Sequence, residues 1–325
     1  MSAKTQLTQQ IKNNRSFIRD QRILLVLVII ILVAVVSIIN PKFIRIQNIS
    51  TIFQQIAVLG VLTMSMTMML ISGGIDLSIG NMMTLSAVVL ATVLKSTDNL
   101  ALSIVCAILV STLCGFLNGL IITKSRCIPL IITLGMAQVY YGASLLITKG
   151  AFINFKGALD FLRKIQIAGI IPLMVLFMLA IVFLMYFLLN RTKFGRRIFA
   201  IGGNELNAYL SGINVDLYKI IAYTISGAIV AIAGILFAAR LNSIAPDAGS
   251  GYELDALVAA VIGGVTFEGG RGTVSGAFLG CLLTGVISAG LDIMGVHAYW
   301  KIAITGMIIV GAVVLSNIDK IRQRN

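Results

Sequence analysis

The sequence has few charged residues, and this scarcity decides its class. Only 11% of its 325 residues are charged, whereas 58% are hydrophobic and the mean hydropathy is +1.00. A soluble domain carries roughly 25% charged residues, so this chain lacks the polar coat that would keep it in water. Its continuous apolar runs of about 20 residues predict an all-α polytopic membrane protein, and their lack of alternation argues against a β-barrel.

Histidine and cysteine are also scarce, which excludes several kinds of catalytic site. His297 is the only histidine, and Cys106, Cys114, Cys127 and Cys281 lie in or at the ends of apolar runs without a close pair. We therefore expect neither a metal site nor a disulfide framework. No G-x-x-x-x-G-K-[ST], H-E-x-x-H or C-x-x-C motif occurs. The sequence predicts no catalytic residue and no cofactor; if ATP drives this protein, another chain must hydrolyse it.

Basic residues outnumber acidic ones by 25 to 12, and they lie in short segments between the apolar runs. Membrane topology explains this pattern better than nucleic-acid binding does. We predict ten spans with edges good to a few residues: 22–39, 48–72, 77–94, 100–122, 128–148, 168–190, 217–239, 253–268, 272–291 and 298–316. Three basic clusters then lie on one side of the membrane, which predicts cytoplasmic N- and C-termini. The basic loop 149–164 falls on the outer side and is an exception to this rule.

The predicted organisation is a basic cytoplasmic segment (1–22), a membrane domain (23–316) and a cytoplasmic tail (317–325). The basic segment and the apolar run after it resemble a signal anchor, because no small-residue cleavage site follows. Spans two to five begin outside and spans seven to ten begin inside, which predicts an inverted repeat of two helical halves. The short eighth span either crosses the membrane or only dips into it.

The stretch LISGGIDLSIGNMM (70–83) places an acid between two apolar runs. Gly73 and Gly74 permit backbone angles that a helix avoids, so the second span is expected to end there. Asp76 followed by Ser78 predicts a cap at the start of the third span. Alternatively, the acid and the exposed amides line a hydrated path, and both interpretations can hold together.

A second group of charged residues lies in the glycine-rich stretch 247–280. Glu253 and Asp255 either cap the eighth span or face an incoming polar solute at the outer mouth. Glu268 and Arg271 are three residues apart and are predicted to pair at a turn. The G-x-x-x-G spacings in this stretch are more typical of helix packing than of a binding site.

The third stretch, 191–219, is long and amphipathic, and the basic residues place it in the cytoplasm. Within it, 204–211 is predicted to form a short helix with Asn204 as cap, Glu205 in the first turn and Gly212 as terminator. A short helix beneath the membrane would suit the docking of a cytosolic partner. The simpler alternative is a solvated loop.

With these stretches the chain resembles the permease subunits of bacterial ABC importers for monosaccharides, the ribose/xylose/galactose-type family. The resemblance runs from about Asn40 to Leu315. It rests on GGIDLSIG (73–80), GRRIFAIGGNELNAYLSGINV (195–215), GYELDALVAAVIGG (251–264), GGRGTVSG (269–276) and YWKIAITG (299–306). It implies a permease in the bacterial inner membrane, a second permease copy in a homodimer or heterodimer, a cytosolic ABC ATPase with two nucleotide-binding halves, and an external or periplasmic sugar-binding protein.

The resemblance also implies that 191–216 is a loop that couples the permease to the ATPase. NELNAYLSG looks like the family's coupling segment, often NEEAARLSG, and departs from it at Leu206, Asn207 and Tyr209. Because of these departures we expect one particular cognate ATPase. The residues predicted to couple to it are Arg196, Arg197, Asn204, Glu205, Ala208, Leu210, Ser211 and Gly212.

For the substrate, the resemblance implies a ribose-like pentose or related sugar. A sugar needs hydrogen-bond partners along its path, but tight ones would prevent its release. The residues predicted along this path are Gln54, Gln55, Asp76, Ser78, Asn118, Gln138, Glu253 and Asp255. The alternatives are a related ABC permease for autoinducer-2-type furanones, nucleosides or branched-chain amino acids, or an ion-coupled secondary transporter in which Asp76 is the ion-linked acid.

Overall fold

The computed structural model describes residues 3–167, 169–297, 299–300, 302–307 and 310–311. The helices of the first part are α1 (Ala3–Ile39), a 3₁₀ helix (Pro41–Ile44), α2 (Ile46–Ile71), α3 (Ile79–Thr97), α4 (Leu100–Ser125), α5 (Pro129–Thr148) and α6 (Asp160–Lys164). Those of the second part are α7 (Leu173–Arg191), α8 (Lys193–Gly203), α9 (Glu205–Leu210), α10 (Val215–Leu241), α11 (Tyr252–Ile262) and α12 (Val274–Ile293). Two small antiparallel ribbons pair β1 (Ile153–Asn154) with β4 (Ser243–Ile244) and β2 (Gln166–Ile167) with β3 (Ile171–Pro172). The chain is an all-α membrane protein, as its composition predicts.

Eight of these helices are long and apolar enough to cross a membrane. They are α1 (over 21–39), α2, α3, α4, α5, α7, α10 and α12, and they correspond to predicted spans one to seven and nine. The eighth predicted span is α11, whose 11 residues at about 1.5 Å each cover only about half of a hydrocarbon core of about 30 Å. Because α11 is too short to cross, it is the re-entrant alternative that fits. The tenth predicted span lies partly, and the tail 317–325 wholly, outside the described residues.

Two span boundaries differ from the prediction by five or six residues. The helix α7 begins at Leu173 rather than near 168 because the residues before it form the β2–β3 ribbon and Pro172 takes the N-cap position. The helix α11 ends at Ile262 rather than near 268 because Gly264 turns the chain with a φ of +87°, which glycine adopts without steric cost. The helix α1 continues from the predicted segment 1–22 into the first span without a break.

The helices α2 and α10 form the centre of the bundle. Every residue of α2 from Ile56 to Ile71 is buried, as expected for a helix with neighbours on all sides. The peripheral helices instead expose large apolar side chains, such as Leu146 on α5 (83% exposed) and Phe183 on α7 (71%). In a bilayer these side chains face lipid tails, so their exposure carries no hydrophobic penalty.

The packing of the two halves follows the predicted inverted repeat. One half contains α2, α3 and α4, and the other contains α10, α11 and α12 in the same order. The helix α10 packs on α3 and α4, and α2 correspondingly packs on α11 and α12. The pairs α3–α4 and α11–α12 also match. Exchanging the two halves therefore exchanges equivalent contacts, which is the pattern of a two-fold repeat.

We name the two ends of the bundle by what lies on them. The α9 face carries α8, α9 and the ends of α2, α4 and α7, and the strand face carries the four strands and the ends of α3, α5 and α10. On the strand face, the β1–β4 ribbon is extended by a hydrogen bond from the Phe155 amide to the Asn242 carbonyl (3.0 Å). Nearby, hydrogen bonds from Lys164 and Arg163 lower the pKa of the Asp160 carboxyl. The ribbon fastens the loop after α5 to the end of α10.

Candidate functional site

The first candidate site is the break between α2 and α3, residues 72–78. The helix α2 ends at Ile71, as Gly73 and Gly74 after it predict, and Gly73 adopts a φ of +80°. The helix α3 starts with Ser78 at the N-cap position. Asp76 Oδ1 accepts hydrogen bonds from the Ser78 amide (2.9 Å) and the Ser78 hydroxyl (2.6 Å). The carboxylate therefore lies at the helix N-terminus as predicted, bonded to the N-cap residue rather than to the first turn of α3.

A chain of hydrogen bonds ties this break to α4 and α5. Asn118 Nδ2 on α4 donates to Ser78 Oγ (2.8 Å), and the Tyr140 hydroxyl on α5 donates to Asn118 Oδ1 (2.7 Å). Asp76, Ser78 and Asn118 are completely buried, and Tyr140 is 3% exposed. We call these four residues the polar cluster. Its bonds connect three neighbouring helices inside the bundle.

The break between α10 and α11, residues 242–251, meets the first two turns of α3, directly after the break between α2 and α3. The Gly249 amide donates to Thr84 Oγ1 on α3 (2.9 Å). A Cβ atom on Gly80 would lie 2.5 Å from the Gly249 carbonyl oxygen and would overlap the Glu253 carboxylate. The absence of side chains at both glycines therefore lets the first turns of α3 and α11, one from each half, touch inside the bundle.

Each of these two helix N-termini has an acid beside it. The amides at a helix N-terminus carry partial positive charge, which a carboxylate complements. Asp76 does this for α3, while Glu253, in the first turn of α11, accepts a hydrogen bond from the Gly251 amide (3.1 Å). One buried oxygen of each acid has no hydrogen-bond partner among the described residues, nor does the buried Tyr223 hydroxyl that lies against Gly74. These three atoms can each bind a further polar group without breaking an existing bond.

The other predicted path residues are distributed along the helices. Gln55 Nε2 on α2 donates to Ser288 Oγ on α12 (3.3 Å), and Gln54 is half-buried beside it. Gln138 is exposed on α5, two residues before Tyr140. Asp255 is half-buried in the first turn of α11, beyond Glu253. The structure thus gathers Asp76, Ser78 and Asn118 into the polar cluster and brings Glu253 against the first turn of α3.

Sequence reasoning missed Tyr140, Tyr223 and Thr133 at this site. The Thr133 hydroxyl on α5 lies 3.2 Å from both the Leu77 amide and the Ile75 carbonyl, so it holds the break to a third helix. The available signal was a hydroxyl group in the middle of an apolar span. Its partners could not be read from the sequence, because they lie on other helices.

The second candidate site is the α9 face, where two helices follow α7. Only the second was predicted: α9 begins after Asn204, whose Oδ1 accepts from the Asn207 amide (2.8 Å), and it ends at Leu210, after which Gly212 turns the chain with a φ of +79°. The unpredicted helix α8 begins with Thr192 as its cap, accepting from the Gly195 amide (3.2 Å). The cap, the first-turn acid and the terminator of α9 are therefore confirmed.

The helix α9 is anchored on one side and apolar on the other. Ala208 packs into a small separate core with Ile201 and Val215. Glu205 forms an ion pair with Lys219 on α10 (2.6 Å). On the outer side three large apolar side chains, those of Leu206, Tyr209 and Leu210, are 65–72% exposed. An exposed apolar group on an anchored helix has the features of a protein contact surface.

The rest of the predicted coupling residues surround this helix. Arg196 is exposed on α8, and Arg197 stacks on the Tyr218 ring of α10 with its guanidinium 5.0 Å from the ring centre. Ser211 is exposed, and its hydroxyl donates to the Asn207 carbonyl (2.8 Å). An open cleft of about 890 Å³ runs beside α9 and is lined by Arg126, Glu205, Leu206, Tyr209, Gly212, Ile213, Asn214, Val215 and Asp216. The predicted coupling residues thus lie together on one face.

Residues 48–313 match the family described as branched-chain amino acid transport system / permease component. The chain is 37% identical over 288 residues to the ribose import permease protein of Bacillus subtilis (strain 168), covering 88% of this chain and 89% of that one. It is 35% identical over 320 residues to the ribose import permease protein of Escherichia coli (strain K12), covering 95% and 98%. The galactose/methyl galactoside import permease protein of Escherichia coli (strain K12) is 36% identical over 323 residues, covering 91% and 94%. No solved structure matches the chain.

Proposed function

The chain belongs to the family of branched-chain amino acid transport system permease components, and from this premise we propose that it is the membrane-spanning subunit of an ATP-driven importer for a monosaccharide. The observation that carries the proposal is the similarity to ribose import permeases along 88–95% of the chain. Relatives named for fructose and galactose import are also similar over most of the chain. A ribose-like pentose or a related sugar is therefore the substrate class we propose.

The chain has a transport role rather than a catalytic one. Because its sequence contains no phosphate-binding loop, we propose that a separate cytosolic ABC ATPase with two nucleotide-binding halves supplies the energy. The eight apolar helices among its described residues, together with its similarity to ABC import permeases, make it a multi-pass protein of the inner membrane. We further propose that the α9 face is cytoplasmic, since it carries the basic residues Lys124, Arg191, Lys193 and Arg196.

We propose that the ATPase docks on α9 and the cleft beside it. The exposed Leu206, Tyr209 and Leu210 supply apolar contact area, while Ala208 and the Glu205–Lys219 ion pair hold the helix in place. Two of these exposed residues, Leu206 and Tyr209, are positions where the chain departs from the family's common segment. This supports a contact with one particular cognate ATPase.

The opposite, strand face would receive an external or periplasmic sugar-binding protein, and a second permease copy would complete the transporter. Affinity for the sugar would reside in the binding protein, because weak polar contacts in the permease allow release. The unpartnered oxygens of Asp76 and Glu253 and the Tyr223 hydroxyl are the polar points we propose along or beside the path. In the described conformation Asp76 is buried, so the path opens only after the helices around it move.

Transport by reconstituted proteoliposomes tests the proposal. We expect uptake of radiolabelled ribose against its gradient only when the permease, the ATPase, the binding protein and ATP are all present. Permease alone should accumulate nothing. Uptake that persists without ATP and stops when the proton or sodium gradient collapses would instead identify an ion-coupled transporter. Competition by unlabelled furanones, nucleosides or branched-chain amino acids, but not by sugars, would identify the alternative importer substrates.

The docking role has its own test at the end of α9. Gly212 has a φ of +79° and open space around it, so Gly212→Arg both strains the turn and adds a bulky charge beside the docking helix. We expect this variant, like Glu205→Lys, to insert normally and to uncouple ATP hydrolysis from uptake. Gly212→Asn is the matched control, because asparagine tolerates the left-handed conformation. Unchanged coupled uptake in Gly212→Arg and Glu205→Lys would refute docking at α9.

A further inference from the structure

Three segments of the chain meet at the α9 face with only backbone between them: the end of α2, the end of α8 and the loop between α11 and α12. The Gly270 amide donates to the Ile71 carbonyl (2.9 Å). A Cβ atom on Gly202 would overlap that same carbonyl and lie 2.6 Å from the Gly270 nitrogen. A Cβ atom on Gly269 would lie 2.6 Å from the Gly202 carbonyl oxygen and 2.8 Å from the Gly73 Cα. We call this contact the glycine junction.

The glycine junction connects the proposed docking helix to the break between α2 and α3 and to the start of α12. Asn204, which caps α9, follows the end of α8 directly, so no loop separates α9 from the junction. On α2, the junction residue Ile71 leads into the break that contains Asp76. On the third segment, Gly270 is followed by Thr273, which caps α12 by accepting from the Gly276 amide (3.1 Å).

Contacts between backbones transmit displacement differently from contacts between side chains. A side chain can change rotamer and absorb a shift of its neighbour, whereas two backbones in van der Waals contact have no such freedom. A displacement of the end of α8 toward this contact must therefore move the end of α2 and the 269–270 loop together, or break the Gly270–Ile71 hydrogen bond.

From this geometry we infer that Gly202, Gly269 and Gly270 are positioning residues that carry movement of α9 to the α2–α3 break and to the start of α12 as one rigid unit. The inference rests on the proposed docking of the ATPase at α9. It assigns to the three glycines a role in coupling that acts through backbone contacts between segments of this chain.

Two neighbouring glycines provide a matched pair of variants. Both Gly202 and Gly203 are helical, but an added Cβ at Gly202 collides with Ile71, whereas at Gly203 it meets no atom within 4 Å. In the assembled transporter we expect Gly202→Ala to lower ATP-coupled uptake by about tenfold or more while the ATPase still copurifies and hydrolyses ATP. Gly203→Ala should behave as wild type. Equal uptake by the two variants would overturn the inference.

Hydrogen exchange of the wild-type complex gives a second test that needs no variant to fold. If the junction moves as a unit, the amides of residues 266–272, including that of Gly270, stay equally protected in the nucleotide-free and ATP-bound complexes. Faster exchange of this peptide on ATP binding would overturn the inference, and it decides the case if Gly202→Ala fails to assemble. Failure of docking itself is distinguished by the Gly212→Arg and Glu205→Lys variants, which do not alter the junction.

Discussion

Removing the hydroxyl of Tyr140 should destabilise the bundle measurably, although the change deletes a single atom. In Tyr140→Phe, Asn118 Oδ1 loses its donor and remains completely buried. A hydrogen bond between membrane helices contributes about 0.6 kcal/mol on average, and a buried polar atom left without a partner costs about 1–3 kcal/mol. We therefore expect the free energy of unfolding to fall by about 1–3 kcal/mol, with the larger part arising from the orphaned amide oxygen.

The neighbouring tyrosine supplies the control. Tyr141 is half-buried on the same helix, and its hydroxyl makes no hydrogen bond to the described part of the chain. Unfolding in sodium dodecyl sulfate, followed by circular dichroism, should show that Tyr141→Phe changes stability by less than about 0.5 kcal/mol. A double variant with Asn118→Leu should recover part of the loss, since the orphaned amide oxygen is then absent and Ser78 Oγ keeps its hydrogen bond to Asp76. Equal stability of Tyr140→Phe and Tyr141→Phe would refute the assignment of the polar cluster.

Three further predictions concern packing, orientation and surface charge. Gly80→Ala should lower the free energy of unfolding by about 1–3 kcal/mol because its Cβ collides with the Gly249 carbonyl. Gly135→Ala, which has open space around it, should be neutral or stabilising in the same unfolding assay. A membrane-impermeant maleimide should label exposed Cys127 in inside-out but not right-side-out vesicles, and the opposite result would reverse the proposed orientation. Arg126→Ala should cost less than about 1 kcal/mol in unfolding, because its ion pair is exposed to solvent; a larger loss would show that this pair holds α10.

The helical architecture could be predicted because lipid-spanning helices leave a strong local signal. Runs of about 20 apolar residues mark each one, and the basic residues between them report which ends lie on the same side. The helix α9 could be predicted equally well, since Asn204 and Gly212 act on the backbone of their own turn. Local rules of this kind need no knowledge of the tertiary fold.

The candidate sites were only partly predictable, because their chemistry is distributed across the chain. Asp76 stood out as an acid in an apolar sequence. Its hydrogen-bonded connection to Tyr140 on α5 runs through Ser78 at the start of α3 and Asn118 on α4, which the sequence does not reveal. The close approach of Gly80 to Glu253 likewise joins residues from opposite halves. Glycine spacing indicated packing without naming the partner, since a glycine has no side chain whose chemistry selects one.

The fastening of the two halves on both faces limits how this protein can open. The β1–β4 ribbon joins the two halves on the strand face, and the glycine junction joins them on the α9 face. A motion that separates the two halves of one chain would have to break at least one of these two connections. If both connections hold, the helix movement that exposes the buried Asp76 takes place between them.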